Sequence, residues 1–160
     1  MSITAARVQT ELRRIARHPD ENIIVKCDGT NMQRISAWLH GAKGTVYEKG
    51  QFELEFNIPE NYPVVPLKVR MLTPIFHPNI DFRTGEICLD ILKEREGWTP
   101  AWGILSVCRA ILILLDNPDA DSPLNCDAGN MVRAGDFRAY KSTSLMYISK
   151  FAMTGPFIEK

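Results

Sequence analysis

The stretch HPNIDFRTGEICLDIL, residues 77–92, sets Cys88 nine residues after Asn79 and directly before Leu89 and Asp90. Of the four cysteines it alone falls in an extended, turn-rich segment: Cys27 sits in a strand pattern, Cys108 in an apolar helical run, and Cys126 just past an acidic turn. A free cysteine is ordinarily a small buried hydrophobe, and location weakens that reading only for Cys88. A buried thiol, a metal ligand, a protease nucleophile and an acyl carrier are the competing roles. The absence of a CxxC pair and the scatter of His18, His40 and His77 argue against a metal site.

A hydrolase would need a base. His77 is the nearest candidate, but His77-Pro78 reads as a rigid turn, where an imidazole more often bonds backbone than accepts a proton. A carrier that receives an already activated thioester needs no dedicated base, because thiolate is both a good nucleophile and a good leaving group. Its harder problem is the tetrahedral oxyanion. The side-chain amide of Asn79 can donate to it, and losing one such donor typically costs about 10²- to 10³-fold in rate. Asparagine in a turn is also ordinary turn chemistry, and the residues alone leave both readings open.

The elements that must position these groups follow from periodicity. In ITAARVQTELRRIARHP, Val8, Leu12, Ile15 and Ala16 recur at helical spacing, with Ser2 or Thr4 as cap and Pro19 as stop. Arg7, Arg13, Arg14 and Arg17 face only Glu11, so this helix is locally basic. From about residue 22 to 73 the period becomes two, most plainly in QFELEFNIP, with NIIVKCD, RISAWLHG and LKVRML as rougher strands. The Gly-rich HGAKGTVYEKG reads as a hairpin connection, and four strands on short links predict an antiparallel meander with one wet face.

Residues 73–100 then run too long for an idle connection. AWGILSVCRAILILL, with Arg109 as its one charge, predicts a helix packed on most sides, and one or two terminal helices are expected, roughly 126–134 and 136–152. The acidic turn DNPDADSPLN and the LKEREG insert read either as solvated loops or as carboxylates that attract an incoming lysine ammonium. The segregated elements imply an α+β fold in one domain, residues 1–160.

Nineteen basic and nineteen acidic side chains cancel, so no global field draws nucleic acid or an anionic membrane. With no leader and no run of about 18 apolar residues, a reducing, intracellular location is expected.

Taken together and in order, YPVVP, HPN, GEICLDIL, WTPAW and DSPLN, between a basic first helix and terminal helices, resemble the ubiquitin-conjugating enzymes over essentially the whole chain. The resemblance implies that Cys88 takes the carboxyl terminus of ubiquitin as a thioester from a ubiquitin-activating enzyme and passes it on with a RING-type ligase. ATP is spent by the activating enzyme, so no cofactor or metal is expected here. Asn79 matches the residue assigned to oxyanion stabilisation or to holding the active-site loop; His77 and Pro78 match structural loop positions. Asp90 would shape the acceptor site, and Ser122, with Asp121 before it, matches a gate to acceptor approach. Arg7 matches the surface for the activating enzyme, and Val64, Pro100 and Ala101 the loops that meet a RING domain. Leu89 would contact donor ubiquitin, as would Ser106 and Arg109 from exposed positions on the central helix, although the polar side of a mostly buried helix would look the same.

Three departures stand out. Val64 replaces a bulkier aromatic, Pro66-Leu67 replaces Pro-Pro, and two extra residues lie between Cys88 and Trp98, as in the enzyme that conjugates SUMO. Within the family, GEICLDILKEREGWTPAWGIL and DSPLNCDAGNMVRAGDFRAY look most like the fungal peroxisomal members. That likeness implies a place on the cytosolic face of the peroxisomal membrane, peripheral through a membrane-anchoring peroxin, with import receptors as substrates. Tyr140, Met146 and Tyr147 are candidate apolar contacts for that anchor. Alternatives are a carrier of SUMO or another modifier, a Cys88/His77 hydrolase, and an inactive binding module.

Overall fold

A computed structural model describes residues 1–158. Helix α1, Ile3–Arg17, begins where the Ser2 hydroxyl accepts the Ala5 N–H, and it ends at His18 before Pro19. Four strands follow, β1 (Ile23–Cys27), β2 (Arg34–His40), β3 (Gln51–Asn57) and β4 (Lys68–Met71), antiparallel throughout and ordered β1-β2-β3-β4. The register sets Leu39 opposite Phe52, Ala37 opposite Leu54 and Ile35 opposite Phe56, so one face is continuous apolar surface. A one-residue slip would turn all of these side chains to the other face.

That face packs in one core with Ile104, Val107, Cys108, Ile111 and Leu115 of α2, Ile104–Asp116, and with Val8 of α1. Full burial of side chains of this size is worth about 1.5–3 kcal/mol each. Arg109 and Ile113 mark the side of α2 left open. The opposite sheet face is wet as predicted at its margins, but Glu55 is buried there, bonded to Arg34 and to Arg70. Those two guanidiniums hold its carboxyl below the usual range, Arg34 first, against the opposing effect of desolvation.

The connection between β2 and β3 does more than turn the chain. Tyr47 within it is fully buried, its hydroxyl donating to the Phe76 carbonyl at 2.6 Å and meeting the Tyr140 hydroxyl at 2.6 Å. Residues 73–100 are likewise not structureless. Ile80 pairs with Ile87 across a small hairpin whose Asp81 carboxylate accepts the N–H groups of Arg83 and Thr84. Gly85 closes it at φ +75°, where a Cβ would stand 2.0 Å from the Met71 carbonyl oxygen. DFRT is therefore a hairpin tip. A single 3-10 turn, Asp90–Leu92, follows Cys88. Helices α3, Cys126–Arg133, and α4, Phe137–Phe151, close the chain.

Candidate active site

The hairpin Ile80–Ile87 delivers Cys88 beside the turn that precedes it, and the Cys88 N–H donates to the Asn79 carbonyl at 2.9 Å. The thiol residue is half-buried, Cys108 is fully buried, and all four cysteines are free. Cys126 is exposed, which its position in sequence did not distinguish. Burial pushes the Cys108 thiol well above the ordinary range, so it packs as a hydrophobe.

His77, Pro78, Asn79 and Ile80 are all buried. His77 Nδ1 accepts the Asn79 N–H at 3.0 Å, which leaves Nε2 to donate to the Leu114 carbonyl at 2.9 Å. Both ring nitrogens are thus spent on backbone, and burial pushes the imidazole down to about 4 against the pull of the Leu114 and Leu115 carbonyls. A base for Cys88 would need a free nitrogen directed at the thiol.

Asn79 is 2% exposed, and its side chain is already engaged. Nδ2 donates to the Asp119 carbonyl at 2.7 Å, and Oδ1 accepts the Asp119 N–H at 2.8 Å. An amide carries two N–H donors, so one is committed to holding the loop. The Pro78 carbonyl accepts the N–H groups of Leu124 at 2.8 Å and Asn125 at 3.1 Å. These two clamps grip the acidic turn at both ends, and Asp121 and Ser122 lie exposed between them.

Downstream of Cys88 the wall is polar. Leu89 caps the 3-10 turn and packs half-buried against the core. Asp90 is 80% exposed and pairs with Lys93 at 3.3 Å; Lys93 also reaches Glu96 at 3.1 Å. The sequence reading did not single out Lys93, though its i, i+3 spacing from both carboxylates was visible.

A second constellation forms at another edge. Arg7 does not extend freely from α1: its guanidinium donates to the Pro100 carbonyl at 2.9 Å, to the Trp102 carbonyl at 3.0 Å and to Glu11 at 2.8 Å, over the ring of Tyr62. Glu11 in turn accepts from Tyr62 and from the Ile104 N–H at 2.8 Å, a carboxylate set at the α2 N-terminus. Trp98 donates to the Pro63 carbonyl at 2.9 Å, tying the loop of Val64 to that of Pro100 and Ala101. Val64, Pro100 and Ala101 are exposed together, whereas Arg7 is the strut behind them.

On α2, Ser106 is half-buried rather than exposed, and its hydroxyl accepts the Gly103 N–H at 2.8 Å as part of the helix start. Arg109 is exposed and pairs with Asp20 at 3.2 Å. Tyr140 is 6% exposed and bonded to Tyr47, and Tyr147 meets Phe82 edge-to-face at 5.2 Å, so Tyr140 does not lie at the surface, whereas Met146, 60% exposed, does.

The helix, four-stranded meander, clamped loop and following helices are the fold of the ubiquitin-conjugating enzymes. The model of that family, described as "Ubiquitin-conjugating enzyme", matches residues 7–147, and the chain belongs to it. It is 48% identical over 155 residues to Protein PEROXIN-4 of Arabidopsis thaliana, covering 96% of this chain and 98% of that one. It is 45% identical over 144 residues to ubiquitin-conjugating enzyme E2 pex4 of Dictyostelium discoideum, covering 89% and 95%. Among solved structures it is similar to the ubiquitin conjugating enzyme Pex4p of H. polymorpha, crystallised in complex with the soluble domain of Pex22p. The TM-score is 0.89 and the identity 31%, over 96% of this chain and 100% of that one.

Proposed function

We propose that Cys88 is the acyl carrier of a peroxisomal ubiquitin-conjugating enzyme. Its thiolate attacks the thioester carbonyl that joins ubiquitin to the activating enzyme; the tetrahedral intermediate collapses, expelling the activating enzyme's thiolate and leaving ubiquitin on Cys88. In the second step a nucleophile on the substrate attacks the new thioester and Cys88 leaves. The chain uses no cofactor of its own in this scheme, ATP being consumed upstream. The observation that carries the proposal is the locked His77: with both imidazole nitrogens bonded to backbone, the half-buried Cys88 has no base from that residue, which suits thioester exchange and not base-assisted hydrolysis.

Asn79 acts first as a brace. Its amide fixes Asp119, and so the segment carrying Asp121 and Ser122, against the segment carrying Cys88. Its second N–H is the group left for an oxyanion. Val64, Pro100 and Ala101 form the ligase-facing edge, which Arg7 supports from behind, and Leu89 and Arg109 are the donor-ubiquitin contacts.

The peroxisomal role rests on likeness to the PEROXIN-4 and Pex4 proteins. No described helix is long and apolar enough to cross a membrane, and we assign attachment to a partner of the Pex22p kind, with import receptors as substrates.

Incubation with ubiquitin, activating enzyme and ATP should yield a thiol-sensitive adduct on a non-reducing gel, lost in Cys88→Ala. An adduct that persists in that variant, or one formed with SUMO and not with ubiquitin, would overturn the assignment.

A further inference from the structure

The hairpin tip DFRT, unused by the carrier chemistry, forms one wall of a groove of about 210 Å³ that opens to solvent between the tip and the start of α3. Its floor is aromatic: Phe76 is 4% exposed and lies 5.5 Å from the half-buried ring of Tyr147, which Phe82 meets from the tip. Leu124 and Asn125 form the far side, and theirs are the N–H groups that hold the Pro78 carbonyl. The next residue, Asn79, accepts the Cys88 N–H at 2.9 Å. Two hydrogen bonds and one Cα step of about 3.8 Å therefore set the groove on the order of 10 Å from Cys88. Extended chain covers about 3.3 Å per residue, so the groove lies about three residues from an acceptor held at the thioester.

Size and charge narrow the occupant. Cavities for drug-sized molecules run from about 300 Å³ upward, whereas this one fits a single long side chain. Its rim sets Asp81 and Asp127 against Arg83, which leaves it acidic. The Asp81 carboxylate accepts the N–H groups of Thr84 and Arg83, which hold it below the usual carboxylate range and so ionised. Asp127 is exposed in the first turn of α3, where the helix dipole favours its charge, and exposed Asp119 and Asp121 continue the acidic stretch toward Ser122. Carboxylates above an aromatic floor suit a cation on an apolar stem, because the stem lies along the rings while the charge reaches the acids. We infer that the groove is an acceptor-selecting subsite: it holds an arginine or lysine side chain about three residues from the acceptor in the substrate's own polypeptide, Phe82 and Tyr147 against the stem and Asp127 and Asp81 against the charge. This rests on the acyl-carrier reading and adds a preference that the chemistry does not demand, since an amine attacks a thioester whatever its neighbours are.

The full chain is charged with ubiquitin, activating enzyme and ATP, the ATP is removed, and the adduct is discharged onto synthetic peptides. Each peptide carries one lysine and, at the third position to either side of it, Arg, Leu or Glu in a Gly/Ser host. Every rate is divided by the same protein's rate onto free lysine. Below saturation the Arg peptide should lead the Leu and Glu peptides at least about fivefold, the combined weight of an exposed ion pair and a cation–π contact. Asp127→Lys should put the Glu peptide ahead of the Arg peptide, and Phe82→Ala should shrink the Arg lead about two- to threefold. Equal rates for the three peptides, a lead for Leu, which would make the groove an apolar pocket, or an order that Asp127→Lys leaves in place would each overturn the inference. A missing thiol-sensitive adduct would instead sink the carrier reading itself, and this one with it.

Discussion

The two arms that flank Cys88 are built on opposite principles. Upstream, His77 to Ile80 are all buried, and every polar group described there bonds to backbone: His77 to Leu114 and Asn79, Asn79 to Asp119, Pro78 to Leu124 and Asn125. Downstream, Asp90 to Glu96 run over the surface and pair with one another through charged side chains. A buried hydrogen bond left unmade costs about 1–3 kcal/mol, whereas an exposed ion pair is worth about 1 kcal/mol or less. One wall of the site is therefore fixed in place, and the other can exchange partners.

The strongest way to break the fixed wall is at His77. His77→Ala should destabilise the protein by about 2–4 kcal/mol, measured by denaturant unfolding, since it empties a buried site and orphans two backbone groups. Protonation should act in the same direction. With the folded imidazole pushed down to about 4, the unfolded chain binds the extra proton between about pH 6.5 and 4. Stability from this group is complete above about pH 6.5 and falls by up to about 3 kcal/mol as pH drops through that window. The slope should be absent in a foldable variant such as His77→Gln.

Asn79→Ala comes next: it should cost about 1–3 kcal/mol of stability and slow discharge of the Cys88 adduct about 10²- to 10³-fold. Slower discharge with unchanged unfolding would move Asn79 from brace to oxyanion donor. Arg7→Ala should cost about 1 kcal/mol, its side chain being 29% exposed. It should also weaken ligase-stimulated discharge more than charging, because the residue holds the Pro100 loop. The smallest effect belongs to the mobile-charge wall: Glu96→Gln should leave Tm unchanged within about 1 °C, and a larger drop would show that the downstream arm is as structural as the upstream one.

Sequence made several features of the site legible for local reasons. The period-two pattern of QFELEFNIP located β3 and its apolar face, Ser2 and Pro19 bounded α1, and the rigid His77-Pro78 turn already weakened a histidine base. The two terminal helices fell within a few residues of their predicted limits. Tyr140, a candidate surface contact, is buried, and Ser106, which the resemblance matched to an exposed position, is half-buried, because a residue's place on a helix does not say what covers it. Tyr140 is covered by Tyr47, which comes from a Gly-rich connection where no periodic signal marks a core residue. Arg7 showed its i, i+4 partner Glu11 but not the Pro100 and Trp102 carbonyls.

The chain's own pattern thus determined the α+β order of elements, the meander, and the one cysteine set among turns, because helix and strand periods and turn residues act over a few positions. Only the tertiary structure decided which nitrogen of His77 holds the proton, that Asn79 grips Asp119 forty residues away, and that Lys93 lies against Asp90. A hydrogen-bonding side chain carries donors and acceptors but no address; packing chooses its partner, and at Cys88 that choice separates a braced acyl carrier from a cysteine with a base.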